Sequence, residues 1–262
     1  MPARTPIVTL ITDFGSADTY VGQLKGAILS RCPAARLVDL THCIPRGDVH
    51  AAAFALLESL GAFPKGTVHL CVVDPAVGTR QARLAARAGK RYLVAPDNGL
   101  MGPALARLGR FEARRLPVRG ASATFHGRDV FAPAAARLAA GESFARVGAR
   151  VSPGAVRRLE LPRPRKTARG LAAEVIHVDA FGNLVTNLRP EDLPSGDLTI
   201  AVGGHTVRGL LRAYGQARPG RLLALIGSHG FLEVAAREAD AARLLRARRG
   251  TRVRIGTAVN SG

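Results

Sequence analysis

Residues 67–74 read TVHLCVVD, a mostly apolar run that ends directly in a carboxylate. The same arrangement occurs at residues 6–13, PIVTLITD, and at residues 91–97, RYLVAPD, where a proline precedes the carboxylate. Short apolar runs are typical of strands buried on both faces, and segments with helical spacing lie between them at residues 20–30 and 50–60. Strands that alternate with helices predict an α/β N-terminal domain with a mainly parallel sheet.

The sequence changes character after residues 152–170, a segment rich in proline, glycine and charge. Two glycines at 203–204 favour a hairpin turn, because glycine tolerates positive φ. We therefore predict an α/β domain at 1–160 and a small β-barrel domain at 161–262. The strand-like runs of the second domain are 170–178, 184–188, 198–202, 206–211, 222–226, 231–236 and 252–255, with a short helix at 238–246.

The composition excludes several classes of protein. With 47% hydrophobic and 22% charged residues, the chain favours a packed core over disorder. No apolar run approaches the roughly 20 residues of a membrane span, and residues 1–12 lack the pattern of a secretory signal. Cys32, Cys43 and Cys71 are widely spaced and odd in number. We expect reduced core thiols, a cytoplasmic protein and no membrane partner.

The charge is strongly positive, with 38 basic and 19 acidic residues and a formal net charge of +19. Such a balance attracts phosphate-rich partners. Basic residues concentrate at 157–169 and 243–254, but no nucleic-acid motif accompanies them, and aromatic residues make up only 5%. A solvated arginine-rich surface is therefore expected, and nucleic acid is an unfavoured partner.

Acidic residues follow the predicted strands: Asp13, Asp74 and Asp97 in the first domain and Asp179 in the second. Ligands of an open parallel sheet bind beyond the carboxyl ends of its strands, so the first three are expected at one edge. Such carboxylates can bind a sugar diol or an amine, or can simply cap turns. The chain lacks a glycine-rich phosphate loop, which argues against a dinucleotide or triphosphate cofactor.

His126 lies in the sequence TFHGRD, just before a helix expected at residues 129–138. A histidine in this position can act as a general base, orient a water molecule, or serve a purely structural purpose. The seven histidines and three cysteines show no metal-ligand spacing, so we expect no catalytic metal.

Together these residues resemble the S-adenosyl-L-methionine hydroxide adenosyltransferases, relatives of fluorinase and chlorinase. The resemblance covers nearly the whole chain in order. The matching motifs are DFG at 13–15, DTYVG at 18–22, KG at 25–26, DLTH at 39–42, FPKGTVH at 63–69, VVDPAVGT at 72–79, PDNG at 96–99, FHGRDVFAP at 125–133, DAFGNLVTN at 179–187 and SHGFLE at 228–233.

The resemblance implies an α/β domain followed by a β-barrel, and a homotrimer with active sites between subunits. It implies that S-adenosyl-L-methionine and water react at the ribose C5′ to give adenosine and L-methionine, without a further cofactor. The first domain would carry the nucleoside and water-activating residues. Asp13 would hold the ribose hydroxyls, and Asp74 and His126 would orient the attacking water. In the second domain, Asp179 would bind the methionine ammonium, Asn183 the adenine and Ser228 the methionine carboxylate.

Two comparisons with the resembled family bear on the activity. Halide-using relatives have a tyrosine in place of Asp74 and a tyrosine–serine pair in place of His126 and Gly127, so the chain resembles the hydroxide type. Hydrolases of the family carry an arginine seven positions after the aspartate, where this chain has Gln81. Three alternatives follow: Arg80 supplies the charge, Asp74 and His126 act alone, or the protein binds its ligand with weak or no turnover.

Overall fold

The structure is a computed structural model that describes residues 5–168 and 170–257. The chain divides into two compact units, Met1–Glu160 and Leu161–Gly262. Arg169, which belongs to the first of the two basic clusters, lies outside the described residues, as do residues 1–4 and 258–262.

The first unit contains a mixed seven-stranded sheet with the strand order β2-β1-β3-β5-β4-β6-β7. The first four strands in this order are parallel, as an α/β fold requires, and the remaining pairs are antiparallel. The sheet is therefore mixed, with a parallel half and an antiparallel half. Its strands are β1 (Ile7–Thr12), β2 (Arg36–Thr41), β3 (Val68–Val72), β4 (Arg83–Ala88), β5 (Arg91–Pro96), β6 (Phe111–Arg115) and β7 (Ala149–Val151).

The antiparallel half begins with a tight hairpin between β4 and β5. Only Gly89 and Lys90 connect the two strands, and both have positive φ, 52° and 63°. A two-residue connection is too short for a parallel crossover, so the second strand must run back along the first. The register pairs Ala88 with Arg91 at the turn and Arg83 with Pro96 at the open end.

The described part of this unit has four α-helices: α1 (Tyr20–Leu29), α2 (Val49–Ser59), α3 (Gly102–Leu108) and α4 (Ala132–Ala139). Helices α2 and α4 contact strands of the sheet, α1 packs on α4, and α3 packs on α2. The Asp48 side chain accepts a 2.9 Å hydrogen bond from the Ala51 amide and caps α2. The helix expected at 129–138 begins earlier, as a π-helical turn over Gly127–Phe131 that leads into α4. Apolar side chains of β1, β3, α1 and α4 form the core of the unit.

The second unit is an eight-stranded antiparallel sheet with one short helix, α5 (Ala241–Leu245). The end strands of the sheet, β12 and β13, lie in contact, so the sheet is nearly closed around a core of aliphatic side chains. A turn at Gly203 and Gly204 joins β11 to β12, as the sequence predicts. The strands are β8 (Arg165–Thr167), β9 (Gly170–Val178), β10 (Leu184–Thr186), β11 (Leu198–Val202), β12 (His205–Arg208), β13 (Leu222–Ile226), β14 (Leu232–Ala236) and β15 (Arg252–Thr257).

The structure also bears on the cysteines and on membrane insertion. Cys32 and Cys71 are free and buried, as expected for core thiols. The prediction is wrong for Cys43, which is exposed because it lies in the loop after β2. In the part of the chain that the structure describes, no helix has both the length and the apolar character that a membrane crossing needs.

Candidate active site

The candidate site lies at the edge of the first sheet where the parallel strands end. Asp13 follows β1, Asp74 comes two residues after the last residue of β3, and Asp97 follows β5. These strands are neighbours in the order β1-β3-β5, about 4.8 Å apart, so the three acidic residues line one edge. Because β4 runs antiparallel to β5, its first residue, Arg83, comes to the same edge.

Asp74 accepts two hydrogen bonds through the same carboxylate oxygen. Its Oδ1 receives the Gln81 side-chain amide at 2.9 Å and the Ala76 backbone amide at 3.2 Å. Burial raises the pKa of Asp74, and the Ala76 amide and the charge of Arg83 only partly oppose that rise. A carboxylate with a raised pKa is a stronger base than an exposed aspartate, which suits it to accept a proton from water.

His126 and Arg83 form a buried contact beside Asp74. The guanidinium Nη2 of Arg83 lies 3.2 Å from Nδ1 of His126 and donates to the Thr79 carbonyl at 2.9 Å. The exposed fractions of Arg83 and His126 are only 8% and 5%. Since a guanidinium can only donate, the His126 Nδ1 must accept, and the ring proton of neutral His126 resides on Nε2.

The protonation of His126 follows from the same contact. Burial lowers the pKa of His126, and the positive charge of Arg83 lowers it further. His126 is therefore held as a neutral imidazole whose Nδ1 is occupied. The atom that remains available for chemistry is Nε2, and it carries a hydrogen to donate.

Arg80 and Gln81 have different surroundings. Arg80 is exposed, whereas Gln81 is half-buried and bonded to Asp74. The guanidinium that reaches the buried cluster belongs to Arg83, nine positions after Asp74. Arg83 is the first residue of β4, and Gln81 comes two residues before it, so both side chains start from the same edge of the sheet. The chain therefore brings an amide to Asp74 and a guanidinium to His126.

The remaining residues of this edge are Asp13 and an aromatic cluster. The Asp13 carboxylate accepts the Gly47 amide at 2.8 Å through Oδ2. Phe14, Tyr20 and Phe125 pack edge to face or tilted, with ring centroids 5.3–6.0 Å apart. The cluster flanks His126, and a side chain at Gly127 would meet Phe14 and Phe125 at 3.1 Å. An aromatic cluster beside polar groups can accommodate a nucleoside.

In the second unit, Asp179 and Asn183 form a tight turn between β9 and β10. Asp179 Oδ1 accepts the amides of Phe181 and Asn183, at 2.9 and 2.8 Å, and Oδ2 accepts the Asn183 side chain at 2.9 Å. Phe181, at the tip of this turn, is 79% exposed, an unusual state for a phenylalanine. Asp179 shapes the turn that exposes Phe181 and holds the buried Asn183 in place.

Ser228 lies in the turn between β13 and β14, beside a buried polar cluster. Glu233, only 4% exposed, accepts the Tyr214 hydroxyl at 2.6 Å and His229 Nε2 at 2.7 Å. These bonds lower the pKa of Glu233 although burial opposes them. Ser228 and this cluster thus lie at the turn end of the β13–β14 hairpin.

The side chains that the structure describes also bear on metal binding. Among residues 5–168 and 170–257, no group of three or more histidine, cysteine or acidic side chains could hold a metal ion. The cluster around Asp74 contains one carboxylate and one imidazole. The positive charge beside these two groups comes from the Arg83 guanidinium.

The chain consists of two domains. One is an α/β unit with a carboxylate, an imidazole and a guanidinium at the edge of its sheet, and the other is a nearly closed β unit. This combination defines a class of two-domain proteins. The SAM hydroxide adenosyltransferase N-terminal domain model matches residues 8–148, and the C-terminal domain model matches residues 173–254. The chain belongs to the SAM hydroxide adenosyltransferase family.

The similar proteins include hydrolases and, at lower identity, fluorinases. The (R)-S-adenosyl-L-methionine hydrolase of Salinispora arenicola is 41% identical over 97% of this chain and 98% of its own length. The hydrolase of the same name from Thermus thermophilus is 38% identical over 95% and 98%. A fluorinase of an Actinoplanes species is 31% identical over 74% of this chain and 75% of its own. A solved structure of an uncharacterized conserved Thermotoga maritima protein superposes with a TM-score of 0.86 at 32% identity, covering 95% of this chain and 100% of that one.

Proposed function

We propose that the protein is an S-adenosyl-L-methionine hydrolase, which uses water to cleave its substrate at the ribose C5′ and gives adenosine and L-methionine. Family membership and the hydrolases that are similar over nearly the full length support this function. The observation that carries it is the cluster of Asp74, His126 and Arg83 at the sheet edge, with Gln81 bonded to the carboxylate.

The cluster supports a division of labour in the attack on C5′. Asp74 accepts a proton from the water, and its raised pKa makes it a better base for that purpose. The Nε2–H of neutral His126 donates to the water oxygen and orients it. Arg83 keeps His126 in this tautomer through Nδ1.

The bonds balance without a general acid. The water oxygen forms a bond to C5′ while the C5′–S bond breaks, and the electron pair of that bond goes to sulfur. The sulfonium thereby becomes the neutral thioether of methionine, so the leaving group needs no proton. Positioning water and C5′ in line is expected to supply the larger share of the acceleration, about 7–11 kcal/mol in favourable cases, and a positioned base about 10²–10⁴-fold.

The binding residues of the proposal follow the polar groups of the substrate. Asp13 binds the ribose hydroxyls, and Asn183, with the exposed ring of Phe181 beside it, binds the adenine. The Asp179 carboxylate can accept hydrogen bonds in addition to those within its turn, and it binds the methionine ammonium through them. Ser228 binds the methionine carboxylate. The proposal includes a cytoplasmic homotrimer with active sites between subunits and no added cofactor.

The test is to incubate the purified protein with S-adenosyl-L-methionine and to separate the products by liquid chromatography. Adenosine and L-methionine should form in equal amounts, and His126→Ala should lower the rate strongly. Adding fluoride or chloride should produce no 5′-halo-5′-deoxyadenosine. Adenosine formation no faster than in the His126→Ala control would rule out the hydrolase.

A second candidate function is binding of adenosine or S-adenosyl-L-methionine without turnover. Gln81 favours it, because glutamine orients water but brings no charge to the carboxylate. Micromolar binding measured by calorimetry, together with the absence of product, would support this candidate. The buried charge of Arg83 favours the hydrolase.

A further inference from the structure

The turn that carries Ser228 has a positively charged neighbour. The guanidinium carbon of Arg189 lies 4.2 Å from the ring centroid of Phe231, the residue directly before β14. Phe231 is buried, so it is a fixed platform for the stacked cation. Stacking uses the flat face of a guanidinium and leaves the N–H groups at its edge free to donate.

The edge of the Arg189 guanidinium has no acidic partner in the part of the chain that the structure describes. Asp192, three positions further on, accepts the Arg189 backbone amide at 2.8 Å instead. Arg189 is half-buried, which makes an unused charge there more costly than on the open surface. An anion that binds at this position would gain charge-assisted hydrogen bonds.

The backbone of the turn allows Arg189 to come close. Nη1 of Arg189 lies 3.7 Å from the point where a Cβ on Gly230 would stand, and Gly230 has φ +79°. The amide of Gly230 bonds to the Gly227 carbonyl at 2.8 Å and closes the turn. Ser228 is exposed on the same turn, so a hydroxyl and a guanidinium flank one short stretch of backbone.

The other charged groups at this turn are already paired with each other. His229 Nε2 is bonded to Glu233 Oε1 at 2.7 Å, and Glu233 Oε2 accepts the Tyr214 hydroxyl. A side chain on Gly227 would meet both Glu233 and His229 at less than 2.8 Å, so glycine is what allows this pair to pack against the turn. His229 and Glu233 are therefore bonded to each other. Among the described residues at this turn, the Arg189 guanidinium is the cation that is left to bind a ligand.

We propose that Arg189 binds the carboxylate of the amino-acid part of the substrate, together with the hydroxyl of Ser228. This inference rests on the proposed function, because it concerns the same substrate. It makes Arg189 a specificity-determining residue: the site should prefer sulfonium nucleosides that carry a carboxylate over those that lack it.

The experiment compares two ligands that differ only in this carboxylate: S-adenosyl-L-methionine and its decarboxylated analogue, which keeps the nucleoside, the sulfonium and the amine. Dissociation constants are measured by calorimetry on full-length protein with Asp74→Asn, so that neither ligand is consumed. Arg189→Met should weaken binding of S-adenosyl-L-methionine roughly 10- to 100-fold, the range of a lost charged hydrogen bond, and leave the analogue within about twofold. Arg189→Lys, which keeps the charge but not the stacking, should fall between.

The matched control is Arg221→Met, because Arg221 is exposed and lies at the opposite end of β13 from the turn. It should change neither dissociation constant. Equal losses for both ligands in Arg189→Met, or no loss for either, would overturn the assignment. Equal affinity of the Arg189-containing protein for both ligands would also overturn it, and this result does not depend on whether Arg189→Met folds.

The two proposals fail in different ways. Protein with the native Asp74 that binds S-adenosyl-L-methionine with Arg189-dependent preference but forms no adenosine would refute the hydrolase and support Arg189. Protein that hydrolyses both ligands with the same kcat/KM would support the hydrolase and refute Arg189. Failure to bind either ligand would refute both.

Discussion

Replacing Arg83 with methionine tests the centre of the proposed site. The change removes a guanidinium that is 8% exposed and that bonds to His126 Nδ1 at 3.2 Å and to the Thr79 carbonyl at 2.9 Å. Methionine has a similar length and fills the space without a charge or a donor. His126 then loses the partner that fixes its tautomer, so Nδ1 can carry the ring proton and Nε2 is no longer always a donor.

The magnitude follows from the bond that is lost. A hydrogen bond to a charged group contributes about 1.5–3 kcal/mol. If the bond to His126 is needed in the transition state, kcat should fall roughly 10- to 150-fold. The charge of Arg83 lowers the pKa of both His126 and Asp74 in the folded protein. Without it both groups hold their protons to higher pH, so the acid limb of the kcat profile should move to higher pH.

The assay is adenosine release at saturating substrate, measured across a range of pH, with thermal unfolding to confirm that the variant is folded. Arg80→Met is the matched control, because Arg80 is an exposed arginine three positions earlier. It should leave kcat within about twofold of the unmodified protein. The reasoning is refuted if Arg80→Met reduces kcat as much as Arg83→Met does, or if Arg83→Met leaves the acid limb in place.

Three further substitutions test other contacts of the structure. Asp74→Asn removes the proposed base, although Asn can still accept the hydrogen bond from the Gln81 amide. The kcat should fall by about 10²-fold or more, while calorimetry should show unchanged adenosine affinity. Weaker adenosine binding would contradict the role assigned to Asp74. Gln81→Met removes the 2.9 Å bond to Asp74 and should lower kcat only a few-fold, and a loss as large as that of Asp74→Asn would show that the amide is essential. Tyr214→Phe deprives the buried Glu233 carboxylate of a 2.6 Å donor and should lower the free energy of unfolding in urea by about 1–2 kcal/mol, whereas an unchanged value would mean that water replaces the hydroxyl.

Strands β1, β3 and β5 of the first sheet are predictable from the sequence because they are largely buried. The apolar runs at 6–12, 67–73 and 91–95 locate β1, β3 and β5 to within one or two residues. Asp48 caps the helix that follows it, and this signal is also visible in the sequence because an aspartate just before the helix expected at 50–60 is a local pattern. The positions of Asp13, Asp74 and Asp97 at one edge follow from these strands.

The antiparallel half was not predictable from the same signals. Residues 83–88 read RLAARA, and alanine and arginine favour helix over strand when nothing else decides. Their strand conformation comes from pairing with β5 on one side and with β6 on the other, which is a tertiary effect. Because this strand was missed, nothing indicated that Arg83 would reach the site edge, and Arg80 was the candidate instead.

The cluster of the second unit was missed for a related reason. Tyr214 and Glu233 are 19 positions apart, and the tyrosine lies in a short 3₁₀ turn, Tyr214–Gln216, with no periodic pattern. Arg189 likewise meets Phe231 only because the sheet brings β10 beside β14. Contacts of this kind depend on strand register, which composition and spacing do not determine.

The Gly89–Lys90 connection has a consequence for chemistry at the far end of the sheet. Its two left-handed residues set the offset between β4 and β5, and six residues of strand then carry that offset to Arg83, roughly 20 Å away. One residue inserted into this connection would shift the ladder by a step and rotate the guanidinium to the opposite face. The exposed turn at Gly89 and Lys90 thus sets the strand register that aligns the Arg83 guanidinium with the His126 imidazole.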